Sequence, residues 1–333
     1  MIESLMLTVT IRDAIEEYDG DLALRRVTKS TRVKYRQHLR AIAGAVGETR
    51  SPASVSTHEI KMHLSRWQRE YETSAGRELS PATVRNRMTA LGCFYGFLLD
   101  NAGLVDEDGL PVPNPMGPIS KHKPKVERRV NGWLREDEDV RLMAGQMALQ
   151  EKVIIFLLRF TGLRVSEAVG LRIRDLNLMT DKITVRTSKT EAGRRTIPIL
   201  PGLKPVLRAW LNELEARGLN EPDGYFLCTL REGNSKSRPG IRTAPGRPLA
   251  TQFVWKVVKR VGQRNEIRIV DGKSELGPHA LRRTFGSDLI NRGVRLEVIS
   301  RLLGHSSTTV TEGHYAELLS ETIASEVLEA LDT

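Results

Sequence analysis

The sequence has few cysteines and no long apolar run. Its 333 residues include only Cys93 and Cys228, which are far apart and lack the spacing of metal ligands. Such cysteine usage is typical of a reduced, cytoplasmic protein. No apolar stretch approaches the ~20 residues that cross a membrane. Residues 1–20 also lack the basic and apolar stretches of a signal peptide. We therefore expect a cytoplasmic protein.

Several catalytic patterns are missing as well. No aspartates or glutamates are spaced to hold Mg²⁺, so a two-metal nuclease is not expected. Neither a P-loop nor a dinucleotide-binding glycine motif occurs. The sequence therefore gives no reason to expect a metal or any other cofactor.

Positive charge is what the sequence has in excess. Lysine and arginine number 51 against 41 aspartates and glutamates, so the formal net charge is +10 at pH 7. A polyanion is then the leading partner. On charge alone, a merely basic enzyme is nearly as good an explanation.

The chain is long enough for about two domains. Residues 1–112 carry helical patterns and predict an all-helical first domain. Within it, Ser56 and Glu59 have the spacing of a capping box at a helix start. Arg85 and Arg87 fall outside the apolar stripe of the following helix. We expect both on the outer face, where they would contact the polyanion. Simple solvation of these charges is the alternative.

Two segments of this first half carry weaker patterns. Residues 1–27 hold only a short, weakly amphipathic segment. Residues 113–132 are rich in proline and glycine, then in lysine and arginine, and predict an extended basic linker. Lys121, Lys123 and Arg128 are its candidate phosphate contacts. Simple solvation of these charges is the alternative.

Residues 133–333 predict a second domain. The segment 151–160 is apolar on nearly all sides and should be a buried helix. Alternating residues in 181–188 and 194–200 predict two strands of a β-hairpin with Lys189 near its turn. The whole chain is therefore expected to be mainly α, with a small β-hairpin or sheet in an α+β second domain.

Six residues with useful chemistry lie at the helix and strand ends of this domain: Arg164, Lys189, His279, Arg282, His305 and Tyr315. Two arginines and two histidines can surround one phosphate and stabilise a five-coordinate transition state. A tyrosine hydroxyl is a suitable nucleophile for phosphoryl transfer once its proton is removed. A lysine can protonate the leaving oxygen.

Five motifs that contain these residues occur in a fixed order: TGLRVSE at 161–167, SKT at 188–190, HALRR at 279–283, LGHSS at 303–307, and Tyr315. In order and approximate spacing they resemble the tyrosine recombinases, which include phage integrases and Xer-type recombinases. The resemblance covers about 133–320 and extends more weakly to residues 1–112, which look like the family's core-DNA-binding domain.

The resemblance implies a site-specific recombinase that cuts and rejoins DNA through a 3′-phosphotyrosyl intermediate and a four-way junction. Tyr315 would attack the phosphorus. Arg164 and Arg282 would hold its non-bridging oxygens, and Lys189 would protonate the departing 5′ oxygen.

The remaining residues take supporting roles by the same resemblance. His279 would act as an acid or base near the tyrosine, and His305 would donate to the phosphate. Glu167 would support the arginine site. Arg194 and Arg283 are further candidate DNA contacts, with a structural role as the alternative for Arg283. Arg194, like Lys182, is also an alternative to Lys189.

One spacing departs from the family pattern. His305 and Tyr315 are ten positions apart, whereas nine is commoner in the family. We place the extra residue in 311–314, just before the nucleophile. His314, within this stretch, is more simply explained as a surface histidine than as an acid or base.

The resemblance also implies partners. These are double-stranded DNA core sites, a homo-tetramer on DNA, and accessory DNA-bending or directionality factors. The amphipathic last helix would be exchanged between subunits, with docking in its own chain as the alternative. Residues 1–27 look too short for an arm-binding domain, which predicts a minimal two-domain integrase.

Two other functions fit parts of the pattern. A catalytically silent DNA-binding protein would keep the fold without the chemistry, but the intact motif set argues against it. A type IB topoisomerase would relax DNA by similar chemistry. The acidic last helix and the helical first domain favour the recombinase.

Overall fold

The computed structural model describes residues 9–101, 103–106, 108–126, 132–186, 193–234, 242–270 and 272–305, together with 307, 309, 311 and 312. The chain divides into two units, Met1–Arg128 and Arg129–Thr333. Among the described residues, no helix is both long and apolar enough to span a membrane.

The described part of the first unit is helical around its own core. Its helices are α1 (Ile11–Leu24), α2 (Lys29–Val46), α3 (Thr57–Ala75), α4 (Pro81–Asn101) and the short α5 (Gly117–Ser120). The capping box predicted at α3 is confirmed: Ser56 Oγ accepts from the Glu59 backbone N–H at 3.2 Å, and Glu59 Oε2 accepts from the Ser56 backbone N–H at 2.9 Å.

Helix α1 is more substantial than its sequence pattern indicates. Its apolar face is buried because Tyr18 packs on two phenylalanines of α4, with ring centroids 5.7 Å from Phe94 and 5.1 Å from Phe97. These partners lie far along the chain. The local pattern of residues 1–27 therefore does not contain the contacts that stabilise the helix.

The prediction of an extended linker from residue 113 is wrong at its start. Met116 and Ile119 are buried in the core of the first unit. The hydroxyl of Thr57, at the start of α3, donates to the Pro115 carbonyl at 3.0 Å. The proline- and glycine-rich part of this stretch therefore folds against the first unit and includes the short helix α5, instead of forming an extended linker.

The prediction that Arg87 faces outward is also wrong. Its side chain is buried, and its guanidinium lies 3.4 Å from the centroid of the Trp67 ring. Its Nε donates to His38 Nδ1 at 3.3 Å, and its Nη1 lies 3.5 Å from His63 Nε2. Burial lowers the pKa of Arg87 to about 10. Arg85, two residues earlier, is exposed as predicted.

Both histidines must be neutral in this arrangement. Arginine has only donors, so each ring nitrogen that faces Arg87 has to accept. Burial, then the charge of Arg87, lowers the pKa of His38 and of His63 below the ordinary 6.5. Lys34 adds to this effect at His38 and Arg66 adds to it at His63, where Glu70 opposes it weakly.

The stability of the first unit is therefore expected to fall as the pH drops below about 6.5. The histidine pKa values are depressed in the folded state, so the unfolded chain takes up protons first and gains stability at acid pH. Thermal unfolding of the full chain, followed between pH 8 and pH 5, measures the effect. The double variant His38→Asn, His63→Gln keeps acceptors at similar positions and should be much less sensitive. An unchanged pH dependence in that variant would contradict this origin.

The second unit is mainly helical and also contains a small antiparallel sheet. Its helices are α6 (Glu136–Ala144), α7 (Leu149–Thr161), α8 (Val165–Gly170), α9 (Lys204–Ala216), α10 (Thr251–Arg264), α11 (Pro278–Asn291) and α12 (Leu296–Leu303). Helix α7 lies in the core, with Val153, Ile154 and Leu157 fully buried. This confirms the prediction of a buried helix at 151–160.

The predicted hairpin supplies two of the three strands of that sheet, which are ordered β1–β2–β3. The strands are β1 (Leu176–Asn177), β2 (Lys182–Val185) and β3 (Arg195–Pro198), and Ile183 of β2 faces Ile197 of β3. Two further hairpins pair β4 (Gly233–Asn234) with β5 (Arg242–Thr243), and β6 (Ile269–Val270) with β7 (Lys273–Ser274). The mainly α, α+β fold class is confirmed.

Candidate active site

Gly162 brings three sequence motifs of the second unit together. It ends α7 in the left-handed conformation, with φ 60°. A Cβ there would lie 2.6 Å from Phe285 Cδ1 of α11 and 2.8 Å from Leu303 Cδ2 of α12. Only glycine allows both this turn and this close approach. The turn before Arg164 therefore packs directly against the helices that carry the other two motifs.

The end of α12 is where three arginines of the second unit converge. Three successive carbonyl oxygens each accept from one arginine: Leu302 from Arg195 Nε at 2.5 Å, Leu303 from Arg282 Nη2 at 2.5 Å, and Gly304 from Arg164 Nη2 at 2.9 Å. The last carbonyls of a helix lack partners within it and carry partial negative charge. The helix end thus orients three guanidinium groups at one place.

The two arginines predicted from the motifs are held differently. Arg282 is buried, and its Nη1 also donates to the Gly162 carbonyl at 2.5 Å, so it joins two turns. The Arg164 side chain is 35% exposed. Arg282 is therefore the buried arginine of this group, and Arg164 is the one partly open to solvent.

Glu167 supports the arginine site, and its carboxylate is shared between two arginines. Its Oε1 accepts from Arg164 Nη1 at 2.8 Å, and its Oε2 accepts from Arg195 Nη2 at 3.0 Å and from the Arg164 backbone N–H at 2.9 Å. Burial alone would raise the pKa of Glu167, but the hydrogen bond and charge of Arg195 and the hydrogen bonds of Arg164 hold it below its ordinary value. The carboxylate is ionised at neutral pH.

Arg195 is the residue of this cluster that the sequence reasoning missed. The candidate DNA contact there is Arg194, which is exposed. Strand periodicity contained the signal: Arg195 has the same parity as the buried Ile197 and Ile199, so its side chain points to the core side of β3.

His279 lies at the start of α11, one turn before Arg282, and is exposed. Its ring centroid is 6.3 Å from that of Trp255 on α10, with the rings inclined at 67°. The Trp255 ring covers Gly277, where a Cβ would lie only 2.8 Å from Trp255 Cζ3. The described geometry places His279 beside this tryptophan.

His305 follows the left-handed Gly304 that ends α12, as the sequence predicted. Its backbone N–H donates to the Ser300 carbonyl at 3.0 Å. Its Nδ1 is hydrogen-bonded to Thr311 Oγ1 at 2.7 Å, and Thr311 is fully buried. The stretch to which we assigned the extra residue therefore begins with an anchored side chain.

Several predicted residues lie outside the described part of the chain: Lys189, Tyr315, Arg128 and His314. Among the candidate DNA contacts that are described, Lys121 is exposed and Lys123 is half-buried. Arg283 is half-buried and covers Gly132, where a Cβ would collide with its guanidinium. Among the described residues, no three histidine, cysteine, aspartate or glutamate side chains are grouped to hold a metal ion.

Guanidinium groups held in fixed orientations are typical of a site that binds a phosphate group. The sequence profile of the phage integrase family matches residues 132–321, over half of the chain. The chain therefore belongs to the phage integrase family: it is a tyrosine recombinase, an enzyme that cleaves and rejoins DNA. The resemblance inferred from the five motifs is confirmed.

Relatives match along most of the chain. Tyrosine recombinase XerC of Mycobacterium tuberculosis is 27% identical over 308 residues, which cover 90% of this chain and 92% of the relative. XerC of Erythrobacter litoralis is 29% identical over 309 residues, covering 90% and 86%. A lambda integrase dimer bound to a COC′ core site has a similar fold, with a TM-score of 0.65, 18% identity, and coverage of 92% of this chain and 95% of that one.

Proposed function

We propose that this recombinase exchanges strands between two DNA sites through Tyr315. The arginine cluster at the end of α12 is the observation that carries the proposal. Arg164 and Arg282 hold the non-bridging oxygens of the scissile phosphate and stabilise the charge that grows in the transition state. Described residues accept two hydrogen bonds from the Arg164 guanidinium, which has five N–H groups to offer.

The reaction needs one proton acceptor and one proton donor. Tyr315 loses its proton to His279 and attacks the phosphorus, and the bond from phosphorus to the 5′ oxygen breaks. Lys189 gives its proton to that oxygen. His305 donates a hydrogen bond to the phosphate. The phosphotyrosyl bond conserves the energy of the broken bond, so a 5′ hydroxyl of another strand can reverse the step without a nucleotide.

The assembly follows from the same proposal. Residues 1–112 act as a core-binding domain, residues 133–333 as the catalytic domain, and the substrate is a double-stranded core site. Arg85, Lys121, Lys123, Arg128, Arg194 and Arg283 remain the candidate DNA contacts. Four copies meet on two sites in the cytoplasm, exchange their C-terminal helices, and use accessory bending or directionality factors. The basic net charge of +10 supports a DNA partner.

A selection for covalent adducts tests this function and identifies the target sequence in the same experiment. Wild-type protein is mixed with a pool of random duplexes, stopped with SDS, and the attached DNA is sequenced to define the cleavage site. A plasmid with two copies of that site should then yield two recombinant circles. Relaxed plasmid without exchange would favour a topoisomerase, and binding without an adduct would favour a silent DNA-binding protein.

A further inference from the structure

Arg195 is bound on all sides by protein. Its side chain is only 7% exposed, and each of its three nitrogen atoms donates to a protein oxygen. The acceptors are Glu167 Oε2 at 3.0 Å, the Leu302 carbonyl at 2.5 Å and the Gly193 carbonyl at 2.8 Å. This guanidinium is committed to the protein and is not presented to a substrate.

The turn that precedes His305 lies directly on this guanidinium. A Cβ on Gly304 would lie 2.8 Å from Arg195 Nη1 and 3.2 Å from Cζ. Gly304 also has φ 65°, and its carbonyl accepts a hydrogen bond from Arg164. Packing against Arg195 and the hydrogen bond from Arg164 therefore both fix the position of the turn.

Arg195 also sets the charge balance of the site. The carboxylate of Glu167 is 3% exposed and lies between Arg164 and Arg195. In such a poorly solvated place a charge interacts strongly with its neighbours. With Arg195 present, the three side chains Arg164, Arg195 and Glu167 together keep a net positive charge. Without Arg195, the carboxylate of Glu167 would cancel the charge of Arg164.

We propose that Arg195 is a positioning residue for DNA cleavage, which acts through Glu167 on Arg164 and through the end of α12 on His305. The inference rests on the proposed function, because it assumes that Arg164 and His305 contact the scissile phosphate. Arg195 itself does not touch the DNA. Since β3 follows Lys189 in the sequence, the same residue connects the hairpin strand to the arginine site.

The test uses single-turnover cleavage of the selected duplex, nicked next to the cleavage site, at saturating protein. Arg195→Met should form the adduct about 10- to 100-fold more slowly, less than the loss of a direct transition-state contact. Its DNA affinity should stay within about twofold of wild type, since no DNA contact is removed. Arg217→Met removes a charge from the exposed end of α9, and it should cleave normally.

A second substitution separates positioning from folding. In the Arg195→Met background, Glu167→Gln removes the carboxylate that would neutralise Arg164, so the double variant should cleave at least about fivefold faster than Arg195→Met alone. A wild-type cleavage rate for folded Arg195→Met, or a double variant no faster than the single one, would overturn the proposal.

Arg195→Lys carries the test where Arg195→Met does not fold. The lysine keeps the charge but has one nitrogen for three separated acceptors, so cleavage about 3- to 10-fold below wild type is expected. A wild-type rate would refute the positioning role. Failure of the wild-type protein to form any adduct would instead count against the proposed function.

Discussion

Tyr315→Phe is expected to abolish the covalent protein–DNA adduct while leaving DNA binding intact. The substitution removes only the hydroxyl that would attack the phosphorus. Loss of an enzyme's nucleophile commonly costs on the order of 10⁴-fold or more in rate. No other group in the proposed reaction can replace this hydroxyl, because its oxygen forms the covalent bond to phosphorus.

The measurement uses the nicked duplex, which loses a short strand after cleavage and so traps the adduct for detection in SDS gels. A gel-shift assay on the intact duplex gives the affinity. Tyr225→Phe is a matched control, because Tyr225 lies in the same unit with its ring 3.6 Å from the Arg172 guanidinium. This control should cleave like wild type. An adduct formed by Tyr315→Phe would assign the nucleophile to another residue.

Local signals in the sequence were enough for the main helices and the hairpin. Ser56 and Glu59 define the start of α3 by their own side chains, and the alternation of Ile183 and Ile197 fixes the pairing of β2 with β3. The mainly α, α+β fold class follows from such local signals. These features depend on neighbours within a few residues or across one turn.

The features that the sequence reasoning missed depend on distant partners. Arg87 lies beyond the apolar stripe of α4, yet Trp67 and two histidines from other helices enclose it. Met116 is buried in the core of the first unit, at the start of α5, which packs against α3 and α4. Nothing in the sequence next to a charged residue, or within a proline-rich stretch, indicates that distant helices will bury it.

The candidate site shows the same division. The motifs predicted Arg164, Glu167 and Arg282 as one group. The structure explains why these motifs meet, because Gly162 packs against α11 and α12 and the arginines bind the end of α12. Arg195 has no motif of its own, because its partner Glu167 lies 28 positions earlier in the chain. The sequence alone distinguishes the buried Arg195 from the exposed Arg194 only when it is known which side of β3 faces the core.

Arg282→Lys is expected to slow cleavage by about 10²–10³-fold. One preorganised donor to a developing negative charge is commonly worth that much, about 2.7–4 kcal/mol. Lysine keeps the charge but lacks the fork that reaches both the Gly162 and the Leu303 carbonyl. Each buried carbonyl left without a donor would also destabilise the fold by about 1–3 kcal/mol.

Stability and catalysis therefore have to be separated, and Arg159 offers the comparison. Its side chain is 4% exposed in the same unit and binds the carboxylates of Asp139 and Asp288. Arg159→Lys should lower the melting temperature as Arg282→Lys does, because both remove a buried fork. Only Arg282→Lys should lose single-turnover cleavage when both are assayed well below their melting temperatures. Equal cleavage rates for the two variants would mean that Arg282 serves only to hold the end of α12.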